Sequence, residues 1–260
     1  MSSWIVAKNR PMKTKPSVMK YHDASSSPDI FSMFLDYIGA YVYSQRMGEI
    51  CNVWDADGTL KSTLRLHPQV RLLKDKPELE ALSLAEYNTI LRPMKFKDVQ
   101  KLASSLMVYD NDLNQSVVQY LKKSGVNGLF DIAIHIMKDP AGPDIALMKK
   151  YASLIRIYQV KTKKDNLNIF VMSDNYTTVT QFQTYCDSTW KITSLSKNPL
   201  KNNSEEVIKA FAEIQVMTAV PALILDFQRP VDRFIYLMQR NSKLDYFTEL
   251  NSKEWFLVDV

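Results

Sequence analysis

The last half of the chain alternates short, nearly unbroken apolar runs with longer stretches in which apolar residues recur at helical spacing. The runs are residues 129–136 (LFDIAIHI), 167–172 (LNIFVM) and 222–225 (ALIL), with a shorter strand pattern at 189–192. Such runs predict strands buried on both faces, and the stretches between them predict helices, so the pattern reads as parallel βαβ units. One helix starts near Pro143 and carries Ile145, Met148, Leu154, Ile155 and Tyr158. A second is capped by Ser173, a third opens on the capping-box pair Asn203 and Glu206, and a fourth lies between Pro230 and Gln239. Right-handed crossovers place the carboxyl ends of all these strands on one edge. That edge collects Lys138, Asp139, Asp174, Asn175, Asp226 and Arg229, where open α/β sheets bind their ligands.

The first half is less regular. Residues 1–27 read as a basic arm, in which Lys8, Arg10, Lys13, Lys15 and Lys20 precede the first acid, Asp23. Such an arm is a solvated tail or a surface that docks a protein assembly partner. Ser27 and Pro28 read as the cap and first residue of a helix through Ile30, Phe34, Ile38, Tyr41 and Val42, stopped by Gly48. A strand at 50–54 ends in Asp55-Ala56-Asp57-Gly58, a hairpin turn signal that outweighs a metal reading of the acid pair. Helical spacing recurs at 79–91, 96–109 and 115–123, and the turn-rich segment 122–128 suggests a boundary. The expected organisation is therefore the arm, an N-terminal α/β domain at 28–128 and a C-terminal α/β domain at 129–260.

Composition narrows the function classes. With 260 residues, 46% hydrophobic and 23% charged, the chain is globular and long enough for two domains. A net charge of +5 favours anionic ligands weakly. Aromatic residues are not interleaved with the lysines, so a nucleic-acid platform is not indicated. Six glycines argue against a glycine-rich phosphate loop, and Cys51 and Cys186 lack the spacing of a zinc site or disulfide framework. No apolar run is long enough for a membrane span and the opening residues lack a leader pattern, so the expected protein is soluble and, by default, cytoplasmic.

Three blocks carry a family resemblance. They are His135-Ile136-Met137-Lys138-Asp139; Ile169-Phe170-Val171-Met172-Ser173-Asp174-Asn175; and residues 212–216 (AEIQV) followed by Leu225-Asp226-Phe227, Val231-Asp232-Arg233-Phe234 and Leu237-Met238-Gln239. In order and spacing they resemble the donor-binding half of the fucosyltransferase superfamily that includes α-1,6-fucosyltransferases and protein O-fucosyltransferases. That family's blocks are an H-x-R-R-x-D motif, a strand ending in S/T-D-D, and a D-I-x-x-L/M segment leading to T-F-S-S-x-V-x-R and an L-M-Q helix. The resemblance covers about residues 129–240.

It implies a GT-B-like α/β fold of two Rossmann-like domains that takes fucose from GDP-fucose with inversion and without a metal, and passes it to a glycan or protein acceptor. A departing nucleoside diphosphate gathers negative charge, which must then be met by cationic side chains or a helix N-terminus. On this reading Lys138 and Arg229 meet the diphosphate, and His135, Asp139, Asp174, Asn175, Asp226 and Gln228 bind the donor. The chain departs from the pattern at Met137 and Lys138 in place of two arginines, at Asn175 in place of an acid, and at Gln228 and Arg229 in place of paired serines. Ser25-Ser26-Ser27 stand where glycines usually precede the first helix.

The residues also carry plainer readings. His135 at a strand end can be a packing residue, Asp174 can serve a helix N-terminus, and Lys138-Asp139 can be loop beside Pro140. The alternative function is a catalytically silent relative that binds a nucleotide or glycan, or packs into an assembly. Met137 and the missing glycines favour it.

Overall fold

A computed structural model describes residues 20–23, 29–78, 80–81, 95–126, 128–137, 144–196, 203–240 and 244–250. The first half contains β1 (Lys20–Asp23), α1 (Ile30–Met47), β2 (Cys51–Trp54), α2 (Thr59–Thr63), β3 (Val70–Leu73), β4 (Glu80–Ala81), α3 (Phe96–Leu106) and α4 (Asn111–Ser124). The second half contains β5 (Ile132–His135), α5 (Ile145–Thr162), β6 (Leu167–Met172), α6 (Tyr176–Gln183), β7 (Trp190–Thr193), α7 (Asn203–Met217), β8 (Ala222–Leu225), α8 (Pro230–Leu237) and β9 (Tyr246–Glu249). The strands form two sheets, ordered β3-β2-β1-β4 and β7-β6-β5-β8-β9. Every pairing within them is parallel. This is the GT-B-like α/β architecture, with one Rossmann-like sheet in each half.

Local chemistry sets the element ends, and several differ from the sequence expectations. The cap of α1 is Asp29 rather than Ser27, its carboxylate accepting from the Phe31 and Ser32 amides at 2.8 and 2.9 Å. Ser27 and Pro28 lie outside the described residues. At the other end Gly48 takes φ 72°, the left-handed conformation that costs glycine least. The helix after β6 is capped by Asn175, whose side chain accepts from the Thr177 amide at 2.7 Å, not by Ser173. Asp144, just before α5, accepts from the Leu147 amide at 2.8 Å.

Two expectations for the first half are corrected. Segment 55–58 is not a hairpin, because β2 and β3 run parallel and no tight turn joins parallel neighbours. Gly58 at φ 67° instead leads into α2, and the Asp55 carboxylate accepts from the Lys61 amide at 3.0 Å. Residues 20–23, read as part of the basic arm, form β1 between β2 and β4. Pairing on both sides satisfies backbone donors and acceptors whatever the side chains, which is why KYHD showed no apolar strand signature. The helix expected at 79–91 conflicts with β4 at Glu80–Ala81, and 82–94 lie outside the described residues.

The second sheet shows the period of two that a strand requires. Ala133, Phe170, Met172, Leu223 and Leu225 face one core, while Ile132, Ile134, Ile169, Val171, Ala222 and Ile224 face another. The second core is closed by α5 and α6 through Met148, Tyr151, Ile155, Val179 and Phe182. The first is shared with the N-terminal half. Phe34 of α1 lies 5.4 Å from Phe234 of α8, Phe96 of α3 stacks at 4.7 Å on Tyr236, and the Gln100 side chain donates to the Gln239 carbonyl at 3.0 Å. One apolar layer therefore seats α1, α3 and α4 against α7 and α8, which fixes the first half relative to the carboxyl edge of the second.

Phe211 of α7 sits at the centre of that layer, 6.2 Å from Phe31, 6.0 Å from Phe34 and 5.0 Å from Tyr109. Truncating a buried phenylalanine costs about 3–5 kcal/mol. Phe211→Ala should lower stability by that amount in denaturant unfolding, and hydrogen exchange should report the loss at β2 and β6 alike. Loss confined to one half would contradict a shared core.

Candidate functional site

In the second sheet the chain runs from β5 outward to β6 and β7, then returns to the other side of β5 for β8. The strand order thus reverses between β5 and β8, and a crevice opens outside their carboxyl ends. A cleft of about 560 Å³ occupies this position, within the range of small-molecule sites. His135 and Met137 reach it from the end of β5, Met172, Ser173 and Asp174 from β6, Gln228 and Arg229 from the turn after β8, and Pro230 and Val231 from the start of α8. Glu206, Lys209, Ala210 and Glu213 of α7 form another wall, and Asp29 and Phe31 at the start of α1 close it from the N-terminal half.

Arg229 is 32% exposed and is the N-cap residue of α8. Its guanidinium donates to the Met137 sulfur, and its Nε lies 3.7 Å from Asp226 Oδ2. Among the described residues no side chain caps α8, and Pro230 occupies its first turn. An uncapped helix N-terminus carries unpaired amides and partial positive charge, so α8 and Arg229 together offer an anion site at the mouth of the cleft. Asp226 holds the turn in shape, its carboxylate accepting from the Gln228 amide at 3.1 Å.

The floor is a buried polar network. His135 Nδ1 lies 2.6 Å from Asp232 Oδ1, with the two side chains 3% and 0% exposed. Asp232 Oδ2 accepts from the Asp226 amide at 2.8 Å, and the Tyr151 hydroxyl donates to the His135 carbonyl at 2.5 Å. Burial pulls the His135 imidazole down, and the Asp232 carboxylate more than offsets this, leaving its pKa above 6.5. Beside it, Lys209 Nζ donates to the Ser173 carbonyl at 2.8 Å and to Ser196 Oγ at 2.6 Å, and Ser196 Oγ donates to the same carbonyl. Glu213 Oε1 stands 3.6 Å from Lys209 Nζ, beyond hydrogen-bond reach, and has no hydrogen-bond partner among the described residues. Burial pushes the Glu213 carboxyl up to about 7 despite the nearby Lys209 and His135 charges.

Of the residues singled out in the sequence, His135, Asp174, Gln228 and Arg229 line the cleft. Asn175 and Asp226 adjoin it as the cap of α6 and the brace of the β8 turn. Lys138 and Asp139 lie outside the described residues. Lys209, Glu213, Ser196 and Asp232 were given no role in the sequence reading. A signal existed for three of them: Lys209 and Glu213 recur at i,i+4 among the buried Phe211, Ala212 and Ile214, and Asp232 precedes the buried Phe234 and Ile235. Ionisable residues on an apolar helix face require partners.

Among the described residues no helix is long and apolar enough to cross a membrane. No group of three or more His, Cys, Asp or Glu side chains is placed to hold a metal ion there. No family model matches the sequence, and no curated protein matches it. Solved structures do match the fold. A mutant of FUT1 from Arabidopsis thaliana in complex with GDP is 11% identical, with 89% of this chain and 71% of that chain covered, at a TM-score of 0.61. Fucosyltransferase NodZ from Bradyrhizobium is 9% identical, covering 84% of this chain and 91% of that one, at a TM-score of 0.53. A NodZ α-1,6-fucosyltransferase soaked with GDP-fucose is 10% identical, covering 84% and 90%, also at 0.53. The fold is therefore fucosyltransferase-like, at identities that speak for the fold alone.

The floor network makes stability depend on pH. Folded Glu213 keeps its proton up to about pH 7, whereas its ordinary value is 4.5. The folded state thus binds more protons across that window, and stability falls as pH rises through it. His135, also raised, adds loss of the same sign above 6.5. A tenfold difference in proton affinity between the folded and unfolded states is worth about 1.4 kcal/mol, and each kcal/mol moves Tm by about 2–4 °C in a chain of this size. Glu213→Gln should flatten the decline between pH 5 and 7 in thermal scans and leave the decline above it. An unchanged slope would mean that Glu213 is ionised in the folded protein.

Proposed function

We propose that the chain is a sugar-nucleotide-dependent glycosyltransferase, with GDP-fucose as the first donor to test. The observation that carries this reading is the cleft at the strand-order reversal, where Arg229 stands on the uncapped N-terminus of α8. A diphosphate seated there meets a guanidinium and helix amides together, the kind of positive charge a departing nucleotide needs in place of a metal. Arg229 takes the part of the family arginine that is Met137 here, reaching toward the same spot from the neighbouring strand, a role that its contact with the Met137 sulfur supports.

On this reading residues 1–27 are the basic arm, from which β1 joins the N-terminal sheet, 28–128 are the acceptor side and 129–260 the donor-binding domain. Lys138 is a second cation for the diphosphate, and Asp139 adds a donor contact. His135, Asp174 and Gln228 contact the nucleotide, and Asn175 and Asp226 hold the loops that present them. The acceptor, a glycan or protein hydroxyl, enters from the side of α1 and attacks the anomeric carbon from the face opposite the diphosphate: the new C–O bond forms as the bond to the diphosphate oxygen breaks, the centre inverts, GDP leaves and the hydroxyl proton passes to solvent.

A specific observation also favours a silent, nucleotide-binding relative. Arg229 already faces Asp226, and Lys209 commits two donors to Ser173 and Ser196, so charge for a leaving group is limited. Turnover separates the two readings.

GDP at about one hundred times its Kd should stabilise the folded protein by roughly 2.7 kcal/mol, visible as a higher Tm. Arg229→Ala should remove most of that gain, and Asp174→Ala should weaken discrimination among nucleotides more than affinity for the diphosphate. Across a panel of sugar nucleotides, GDP-fucose should be hydrolysed or transferred fastest. Stabilisation without sugar release supports the silent nucleotide-binding relative, and no stabilisation by any nucleotide of the panel at millimolar concentration rejects a nucleotide site and leaves the silent relative that packs into an assembly.

A further inference from the structure

The buried contact between α8 and the end of β5 has a chemistry of its own. Both oxygens of Asp232 act as acceptors, one toward the Asp226 amide at 2.8 Å and one toward His135 Nδ1 at 2.6 Å. A carboxylate in that role leaves Nδ1 as the donor, so the imidazole proton that remains to be assigned is the one on Nε2. His135 lines the cleft, and Nδ1 is committed to Asp232. The ring nitrogen left for a ligand is therefore Nε2: a hydrogen-bond acceptor in the neutral ring and a charged donor in the protonated one.

Resting on the nucleotide-binding reading, we infer that Asp232 is a positioning residue that holds His135 protonated, with Nε2–H presented to a nucleoside diphosphate, so that nucleotide affinity is linked to proton uptake by His135. The surroundings fit this role. From α8 and the turn before it come the Asp232 carboxylate, which favours the charged ring, and the Arg229 guanidinium, which opposes it. From α7 comes the Glu213 carboxyl, which favours it only once ionised, above about pH 7, with Lys209 beside Glu213. From α5 the Tyr151 hydroxyl holds the His135 backbone carbonyl, and after β8 Asp226 fixes Asp232 through its amide. A protonated imidazole facing a diphosphate also adds the attraction of opposite charges to the hydrogen bond.

The test combines two measurements on the full chain. The first needs no ligand: the chain has three histidines, and long-range nitrogen–proton NMR of histidine-labelled protein follows the ring nitrogens of each through a pH titration. The inference expects His135 to titrate above the ordinary value, with Nδ1 carrying the proton in the neutral form, and Asp232→Asn to move its titration downward. Asp232→Glu, which keeps a carboxylate, should retain a raised titration, so the inference does not depend on one variant folding. The second is calorimetric binding of GDP between pH 6 and 9. The ratio of wild-type to Asp232→Asn affinity cancels the titration of GDP itself. It should reach about tenfold near neutrality and fall toward one by pH 9, as expected for one linked proton. His135→Gln should bind GDP with no such dependence. A wild-type His135 that titrates below the ordinary value, or a ratio that is flat with pH while GDP binds, overturns the inference and leaves the nucleotide reading intact. Absence of GDP binding at every pH, with His135 titrating as expected, overturns the nucleotide reading and takes the linkage with it.

Discussion

The structure depends on the carboxylate of Asp232 beneath the floor of the cleft. It ties three things at once: α8 on which it stands, the turn after β8 through the Asp226 amide, and the end of β5 through His135. A fully buried carboxylate without such partners would be strongly destabilising, so the position forces these elements into one arrangement. The consequence appears at the surface. With α8 held at this angle, its uncapped N-terminus and Arg229 open onto the crevice between β5 and β8 rather than onto solvent.

The cleft separates charge by depth. Lys209 is buried and engaged with Ser173 and Ser196, which joins the ends of β6 and β7 to α7. Arg229 stays partly exposed, on a soft thioether and 3.7 Å from the Asp226 carboxylate, beyond hydrogen-bond reach. The buried, engaged cation and the partly exposed cation of the cleft are thus different residues. The N-terminal half contributes through packing, because the aromatic layer of Phe31, Phe34, Phe211 and Phe234 brings the start of α1 to the rim. The acid found there, Asp29, is already committed to capping its helix.

Much of the second half was legible in the sequence because its strands are buried on both faces. Runs such as LNIFVM admit few other readings, and the edge that their alternation implied is where His135, Asp174, Gln228 and Arg229 meet. The first half was harder for a physical reason. The strand at Lys20–Asp23 holds its place through backbone pairing with two neighbours, which leaves no hydrophobic period to read. Caps slipped by two residues, to Asp29 and Asn175, because Ser, Asp and Asn compete for the same role and only the chain's approach decides among them. The floor network stayed hidden because its members lie far apart in sequence: His135 and Asp232 are joined only once β5 and β8 are paired.

The central claim is that the crevice between β5 and β8 holds a nucleoside diphosphate against Arg229 and the start of α8. The most direct measurement is a crystal structure of the protein with GDP. The account predicts the diphosphate within hydrogen-bond distance of the Arg229 guanidinium and the first-turn amides of α8, with His135 and Asp174 beside the nucleoside. GDP bound elsewhere on the molecule, or density in the crevice that leaves Arg229 against Asp226 with no phosphate near it, would contradict the account.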